Sequence, residues 1–254
     1  MMIAGNTPPL RHVVVLLTAC INPGSIFNTA RSDPILRLDD YKSALQKWCA
    51  CSGDVSIVFC ENSGYELIEL INIAQENSRS GKEVEFLSFN GQDFPAHLGK
   101  GYGEMRIIRH ALENSKIIEP DSIVIKVTGR LFVKNNLELI QRLVLPDMTD
   151  VYCDLRFNMS SSDSRVFCAT GLFFKKYLLP RSEHVNDSTD DIFEKVLAKS
   201  IHSALADGLK WSMLPTTPWM IGIAATSNQP IPDSRMRVLA RDLFRRIKKA
   251  VVAR

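Results

Sequence analysis

The chain has 254 residues, 45% hydrophobic and 23% charged, with a formal net charge of +3. That is the composition of a folded globular chain long enough to bury a substantial core. So small a charge gives no ground for a nucleic-acid partner, and no apolar run nears the ~20 residues that cross a bilayer. The charge is uneven, because residues 233–254 hold eight Lys/Arg against two Asp and leave a mildly acidic body. The first residues, MMIAGNTPPLRH, lack a basic stretch followed by an apolar one, so no signal peptide is expected. The cysteines Cys20, Cys49, Cys51, Cys60, Cys153 and Cys168 show no CxxC pair and no zinc spacing. Reduced thiols in a cytoplasmic protein are expected.

The first half alternates strands with helices. Residues 13–18 (VVVLLT) read as a strand buried on both faces. Residues 22–32 are a loop by their Asn, Pro, Gly and Ser content. Residues 39–49 have helical spacing through Tyr41, Leu45 and Trp48. A second strand, 55–60, runs into the loop Glu61-Asn62-Ser63-Gly64, and a helix over 65–77 follows. A third strand covers 84–89. The glycine-rich Gly99-Lys100-Gly101-Tyr102-Gly103 then leads, as a loop, into a helix over 104–114. A fourth strand covers 122–127. This rhythm predicts a mostly parallel sheet with helices on both faces.

The second half is less regular. Residues 150–157 and 165–174 read as strands split by a polar turn over 158–164. A helix is expected over 188–205, capped by Ser188 or Thr189, with Asp190 and Asp191 in its first turn. A short strand follows at 211–214. Residues 215–232 carry Pro215, Pro218, Pro230 and Pro232 and read as a loop. A basic amphipathic helix closes the chain: Met236, Leu239, Leu243, Ile247 and Val251, with Ala240, Phe244 and Ala250 beside them, recur at helical spacing. Arg235, Arg237, Arg241, Arg245, Arg246, Lys248 and Lys249 flank that stripe. The reading divides the chain into one domain, 1–232, and this helix, 233–254.

No GxxxxGK[ST], HExxH, GxSxG or GxGxxG is present. The richest stretch is Lys126-Val127-Thr128-Gly129-Arg130, at the end of the fourth strand. Strand ends of this kind carry ligand chemistry in open α/β sheets. Lys and Arg neutralise phosphate, Arg with two parallel hydrogen bonds. A diphosphate bearing a sugar fits that set; the alternative is a turn with two solvated cations. Thr18, Glu61 and Asn62 gather on the same edge if the strands are parallel. Lys100 and Gly101 suit a phosphate cradled on backbone N–H groups, or else a plain surface loop. Asp154 and Arg156 share one strand face, as an ion pair or beside the donor sugar or acceptor. Asp191 and Glu194 lie three apart on one helix, where either can take a proton from an acceptor hydroxyl or serve the helix dipole.

Together these elements resemble the bacterial GT-A-type glycosyltransferases that build surface polysaccharides such as lipopolysaccharide O-antigen and capsule. The resemblance covers residues 12–228. It rests on strand order, on Glu61-Asn62-Ser63-Gly64, on Gly101-Tyr102-Gly103-Glu104 before a helix, and on Lys126-x-Thr128-Gly129-Arg130. It implies a single GT-A-like, Rossmann-like α/β domain that moves a sugar from a nucleotide-sugar donor to a growing, lipid-linked glycan. Thr18, Glu61, Asn62, Lys100, Gly101, Glu104, Lys126, Thr128, Gly129, Arg130 and Arg156 then serve the donor, and Asp154, Asp191 and Glu194 the chemistry. The family's Asp-x-Asp, which binds a divalent metal, is missing, and Thr128-Gly129-Arg130 stands in its place. No cofactor is therefore expected. Fixed cations would do the work of Mn²⁺ or Mg²⁺, with Asp154 as a lone metal ligand the alternative. The basic helix would hold the protein on anionic lipid at the inner face of the plasma membrane; the alternative is a helix whose apolar stripe packs on the domain. The competing function classes are a nucleotide-binding module without catalysis and another nucleotide-dependent transferase. A methyltransferase is disfavoured by the single glycine after the first strand.

Overall fold

The computed structural model describes residues 11–25, 29–144, 149–156 and 158–252, and the side chains of Arg246, Lys248, Lys249, Ala250, Val251 and Val252 lie outside that description. So do Phe157 and the first ten residues, on which the expectations of a strand end and of an absent signal peptide fall.

The sheet starts with β1 (Val13–Ala19), buried at every position. Val13, Val15 and Leu17 face one core and Val14 and Leu16 the other, which is why the strand reads as an unbroken apolar run. α1 (Pro34–Ala50) begins before the expected 39, because Asp33 accepts hydrogen bonds from the Ile35 and Leu36 amides and Pro34 opens the helix. β2 (Ser56–Glu61), α2 (Ile68–Asn77) and β3 (Val84–Ser88) follow. α3 (Gly99–Asn114) absorbs the glycine-rich stretch, so Gly101 and Gly103 lie within the helix. A Cβ on Gly101 would meet Asp187 Oδ1 at 2.8 Å, so glycine lets α3 approach the second half of the chain.

β4 (Ile123–Thr128), β5 (Leu131–Val133), α4 (Asn136–Val144), β6 (Val151–Tyr152) and β7 (Val166–Thr170) come next. β7 stops at Thr170, whose hydroxyl caps the helical turn α5 (Gly171–Phe173) instead of continuing as strand. α6 (Phe193–Ala206) starts five residues after the expected 188. Asp190 takes a φ of 66° and Asn186 and Asp191 bridge across a turn, so neither Ser188 nor Thr189 caps this helix. β8 (Trp211–Ser212) is the short strand. The proline-rich segment is more than a loop, since β9 (Met220–Gly222) pairs antiparallel with β5. α7 (Arg235–Val252) ends the chain.

The main sheet runs β3-β2-β1-β4-β7-β6-β8. β1 to β4 are parallel and β7 runs against β4. One core lies between the sheet and α1, α2 and α4; the other lies under α3, α6 and residues 173–179. The chain steps outward from β1 to β3, then returns to place β4 on the other side of β1. The strand order therefore reverses between β1 and β4, where sheets of this kind leave a crevice beyond their C-terminal ends.

α7 meets the body through polar side chains. Arg245 lies 3.2 Å from Asp154 Oδ2, donates at 2.9 Å to the Thr217 hydroxyl and also bonds the Leu214 carbonyl. The apolar stripe is turned out: Met236, Leu239, Leu243, Phe244 and Ile247 are 55–76% exposed. The apolar side is therefore not buried on the body, and Arg235, Arg237 and Arg241 are exposed as well, so Arg245 is the basic residue that docks among those described.

Candidate active site

A cleft of about 440 Å³ opens at the β1–β4 switch point. Thr18, the last residue but one of β1, and Thr128, the last of β4, stand directly opposite each other. Gly129 follows, with its amide donating to the Thr18 carbonyl at 2.8 Å. A Cβ there would lie 2.7 Å from that same carbonyl oxygen, so only glycine lets the two strand ends close.

Glu104, from the second turn of α3, is the centre of the floor. Its Oε1 accepts from the Thr18 hydroxyl at 2.8 Å and the Thr128 hydroxyl at 3.4 Å, and lies 2.5 Å from Lys126 Nζ. Burial by itself would raise this carboxyl; the Lys126 ion pair, the Thr18 hydroxyl and the Arg130 charge together outweigh it and hold Glu104 below the usual carboxylate value. Lys126 is fully buried beneath Glu104 and also donates to the Ser164 carbonyl at 2.6 Å. Residues two apart on a strand share a face, so Lys126 and Thr128 both turn toward α3.

Arg130 leaves β4 on the cleft wall. Its Nε donates to the Ile223 carbonyl at 3.0 Å, and among the described residues no carboxylate pairs with it. Burial lowers its guanidinium below the ordinary arginine value, and Tyr41 and Glu104 act against that. Lys100 also lines the cleft without an ion pair among the described residues. Two carboxylates close the far side. Glu194 accepts from the Ser164 hydroxyl at 2.7 Å. Asp187 faces the start of α3 and accepts from the Gly101 amide at 3.3 Å; burial raises its carboxyl.

Thr18, Asn62, Lys100, Gly101, Glu104, Thr128, Arg130, Arg156 and Glu194 thus line one cleft; of these the strand-end argument gathers Thr18, Asn62, Thr128 and Arg130. Five candidates are placed elsewhere. Lys126 lies under the floor, and Gly129 is a strand clasp. Glu61 is fully buried and accepts from the Ile21, Ser63 and Tyr65 amides and the Ser63 hydroxyl, which fixes the loop after β2. Asp154 sits under α7, its carboxyl raised by burial against the opposing charge of Arg245. Asp191 points outward to Lys199 at 2.9 Å, and that contact lowers its carboxyl. The sequence reading missed Asp187, Gln92 and Arg165. Asp187 carries a local signal only as one acid of a cluster, and its neighbourhood to Gly101 is set by tertiary packing.

Cys20 lines the cleft, but burial pushes its thiol up to about 12, which leaves it protonated and a poor nucleophile. Among the described residues no group of three His, Cys, Asp or Glu is placed to hold a metal ion. The end of β4 presents a hydroxyl, a glycine and a guanidinium where an Asp-x-Asp would supply ligands.

No protein-family model matches the chain, and no curated protein matches it in sequence. Among solved structures it is similar to the glycosyltransferase GlyE of Streptococcus pneumoniae TIGR4, with a TM-score of 0.50 and 12% identity over 81% of this chain. It spans 45% of the length of that structure. The galactosyltransferase LgtC, solved with donor and acceptor sugar analogues, gives a TM-score of 0.49 at 10% identity, covering 79% of this chain and 73% of its own. A cytidylyltransferase from Leptospira borgpetersenii serovar Hardjo-bovis gives 0.42 at 14%, covering 82% and 77%. At such identities the likeness is one of fold: this chain has the mixed α/β, mainly parallel architecture of the GT-A glycosyltransferases.

Proposed function

We propose that this protein is a glycosyltransferase that moves a sugar from a nucleotide-sugar donor to a hydroxyl of a glycan. The observation that carries the reading is Arg130: a guanidinium with no carboxylate partner among the described residues, held at the switch point of a GT-A-like sheet. Lys100 adds a second cation without an ion pair among the described residues on the same cleft. Together they suit a diphosphate leaving group, and fixed cations there take the charge that a divalent metal would otherwise neutralise. On this reading Glu194, which lines the same cleft, accepts the acceptor's proton.

The acceptor is a lipid-linked surface glycan on this reading, and α7 supports it. Among the described residues no helix is long and apolar enough to cross a membrane. A helix held to the body by Arg245, with its apolar stripe exposed and arginines along its flanks, suits an anionic membrane surface on the cytoplasmic side.

Thermal-shift titration with UDP, GDP, CMP, dTDP and S-adenosylmethionine tests the core of the proposal. Stabilisation by at least one nucleotide and none by S-adenosylmethionine is expected. No shift with any nucleotide defeats the transferase reading. A shift with S-adenosylmethionine alone points to methyl transfer.

A further inference from the structure

Glu104 is an odd neighbour for a diphosphate. An ionised carboxylate repels phosphate oxygens, yet this one stands at the centre of the cleft floor. Its two oxygens have separate fates. Oε1 receives everything the protein offers: Lys126, Thr18 and Thr128. Oε2 accepts no hydrogen bond from any described residue, and the Glu104 side chain keeps 20% of its exposure while Lys126 keeps none. A carboxylate present only to neutralise a buried lysine has no need of an open oxygen on a cleft. Such a pair is also an expensive way to fill a core, since well-packed apolar side chains commonly serve stability as well or better.

Resting on the transferase reading above, we propose that Glu104 is a catalytic residue whose free Oε2 stabilises the positive charge that develops on the donor sugar during transfer. The bond from the anomeric carbon to the diphosphate oxygen breaks, and its electron pair leaves with the diphosphate toward Arg130. Positive charge spreads over the anomeric carbon and the ring oxygen. The acceptor hydroxyl oxygen bonds that carbon, and its proton passes to Glu194. Glu104 forms no bond and moves no proton. It is an anion on the sugar side of the breaking bond, as Arg130 is a cation on the leaving-group side. Three donors on Oε1 keep it oriented and ionised before the substrate arrives, so the field costs no reorganisation during the step.

The test compares Glu104→Gln with the double variant Glu104→Gln/Lys126→Met, using kcat, donor KM and nucleoside-diphosphate affinity. The double variant buries no unpaired charge, so it decides the matter if the single variant does not fold. We expect kcat to fall about 10²–10³-fold in both, with donor KM and diphosphate affinity within threefold of the parent. If Glu104 serves only to pair Lys126, removing both charges restores turnover; a folded double variant with kcat within threefold of the parent overturns the proposal. A matching loss of diphosphate affinity also overturns it, by making Glu104 a donor-binding residue. If the parent binds no nucleotide and turns over no nucleotide sugar, the transferase reading has failed first and takes this proposal with it.

Discussion

Lys126 of β4 and Glu104 of α3 form an ion pair of 2.5 Å beneath the cleft, the ammonium fully buried and the carboxylate one-fifth exposed. The pair makes Lys126 a part of the protein's own electrostatics, so on the proposed reading the contact with a diphosphate falls to Arg130. Breaking such a pair from one side is destabilising by about 3–5 kcal/mol, so Lys126→Ala should unfold at distinctly lower urea. A midpoint equal to the parent's would mean that the pair is not formed in solution.

The same pair sets an acid limb. Glu104 has its folded carboxyl below the usual 4.5, so its stabilising share is complete above the unfolded value of about 4.3 and is lost as pH falls through the folded value. Plotted between pH 3 and 7, the stability difference between the parent and Glu104→Gln/Lys126→Met should be flat above about pH 5 and change only below it. A difference that drifts between pH 5 and 7 contradicts the assignment.

Arg130→Ala should weaken nucleoside-diphosphate binding about tenfold or more, because charge-assisted hydrogen bonds contribute roughly 1.5–3 kcal/mol each. Among the described residues the one side-chain hydrogen bond lost is to the Ile223 carbonyl, so the variant should fold. Calorimetry on the folded variant measures the affinity, and an unchanged value removes Arg130 from the site.

The acidic candidates of the second half separate cleanly. Glu194 lines the cleft, whereas Asp191 is exposed and tied to Lys199. Glu194→Gln should cut turnover about 10²–10⁴-fold at nearly constant donor affinity. Asp191→Asn should stay near the parent. The opposite ranking in steady-state kinetics would assign the base to Asp191.

Turnover should survive EDTA, since Thr128-Gly129-Arg130 stands at the end of β4 in place of an Asp-x-Asp, and Arg130 and Lys100 line the cleft as fixed cations. Loss of activity on chelation, restored by Mn²⁺ or Mg²⁺, would reverse this and direct attention to carboxylates of the cleft.

Replacing Leu239, Leu243 and Phe244 with serine should reduce pelleting with phosphatidylserine-containing vesicles and leave the melting temperature nearly unchanged, because these side chains are exposed. Deleting α7 is a poorer test, since Arg245 would leave Asp154 half-buried without its partner. Equal pelleting of parent and variant would free α7 of the membrane role.

What the sequence by itself determined is the local periodicity. Val13–Ala19 has apolar side chains on both faces, and such a strand is stable only between two layers of helix. The polar residues at or just beyond the ends of these strands, Thr18, Asn62 and Thr128, then meet at one edge because parallel strands share a direction. Tertiary structure alone decided the partners. Alternation on β4 places Lys126 and Thr128 on one face, but nothing local says that the helix covering that face brings Glu104 to them. Nothing local turns Asp191 outward while Asp187 meets Gly101: a positive φ at Asp190 and the late start of α6 do that. α7 is legible as amphipathic, yet which side it gives to the body depends on whether Asp154 and Thr217 are there to receive Arg245. Periodicity is a property of neighbours in the chain; charge pairing and helix rotation are settled by neighbours in space.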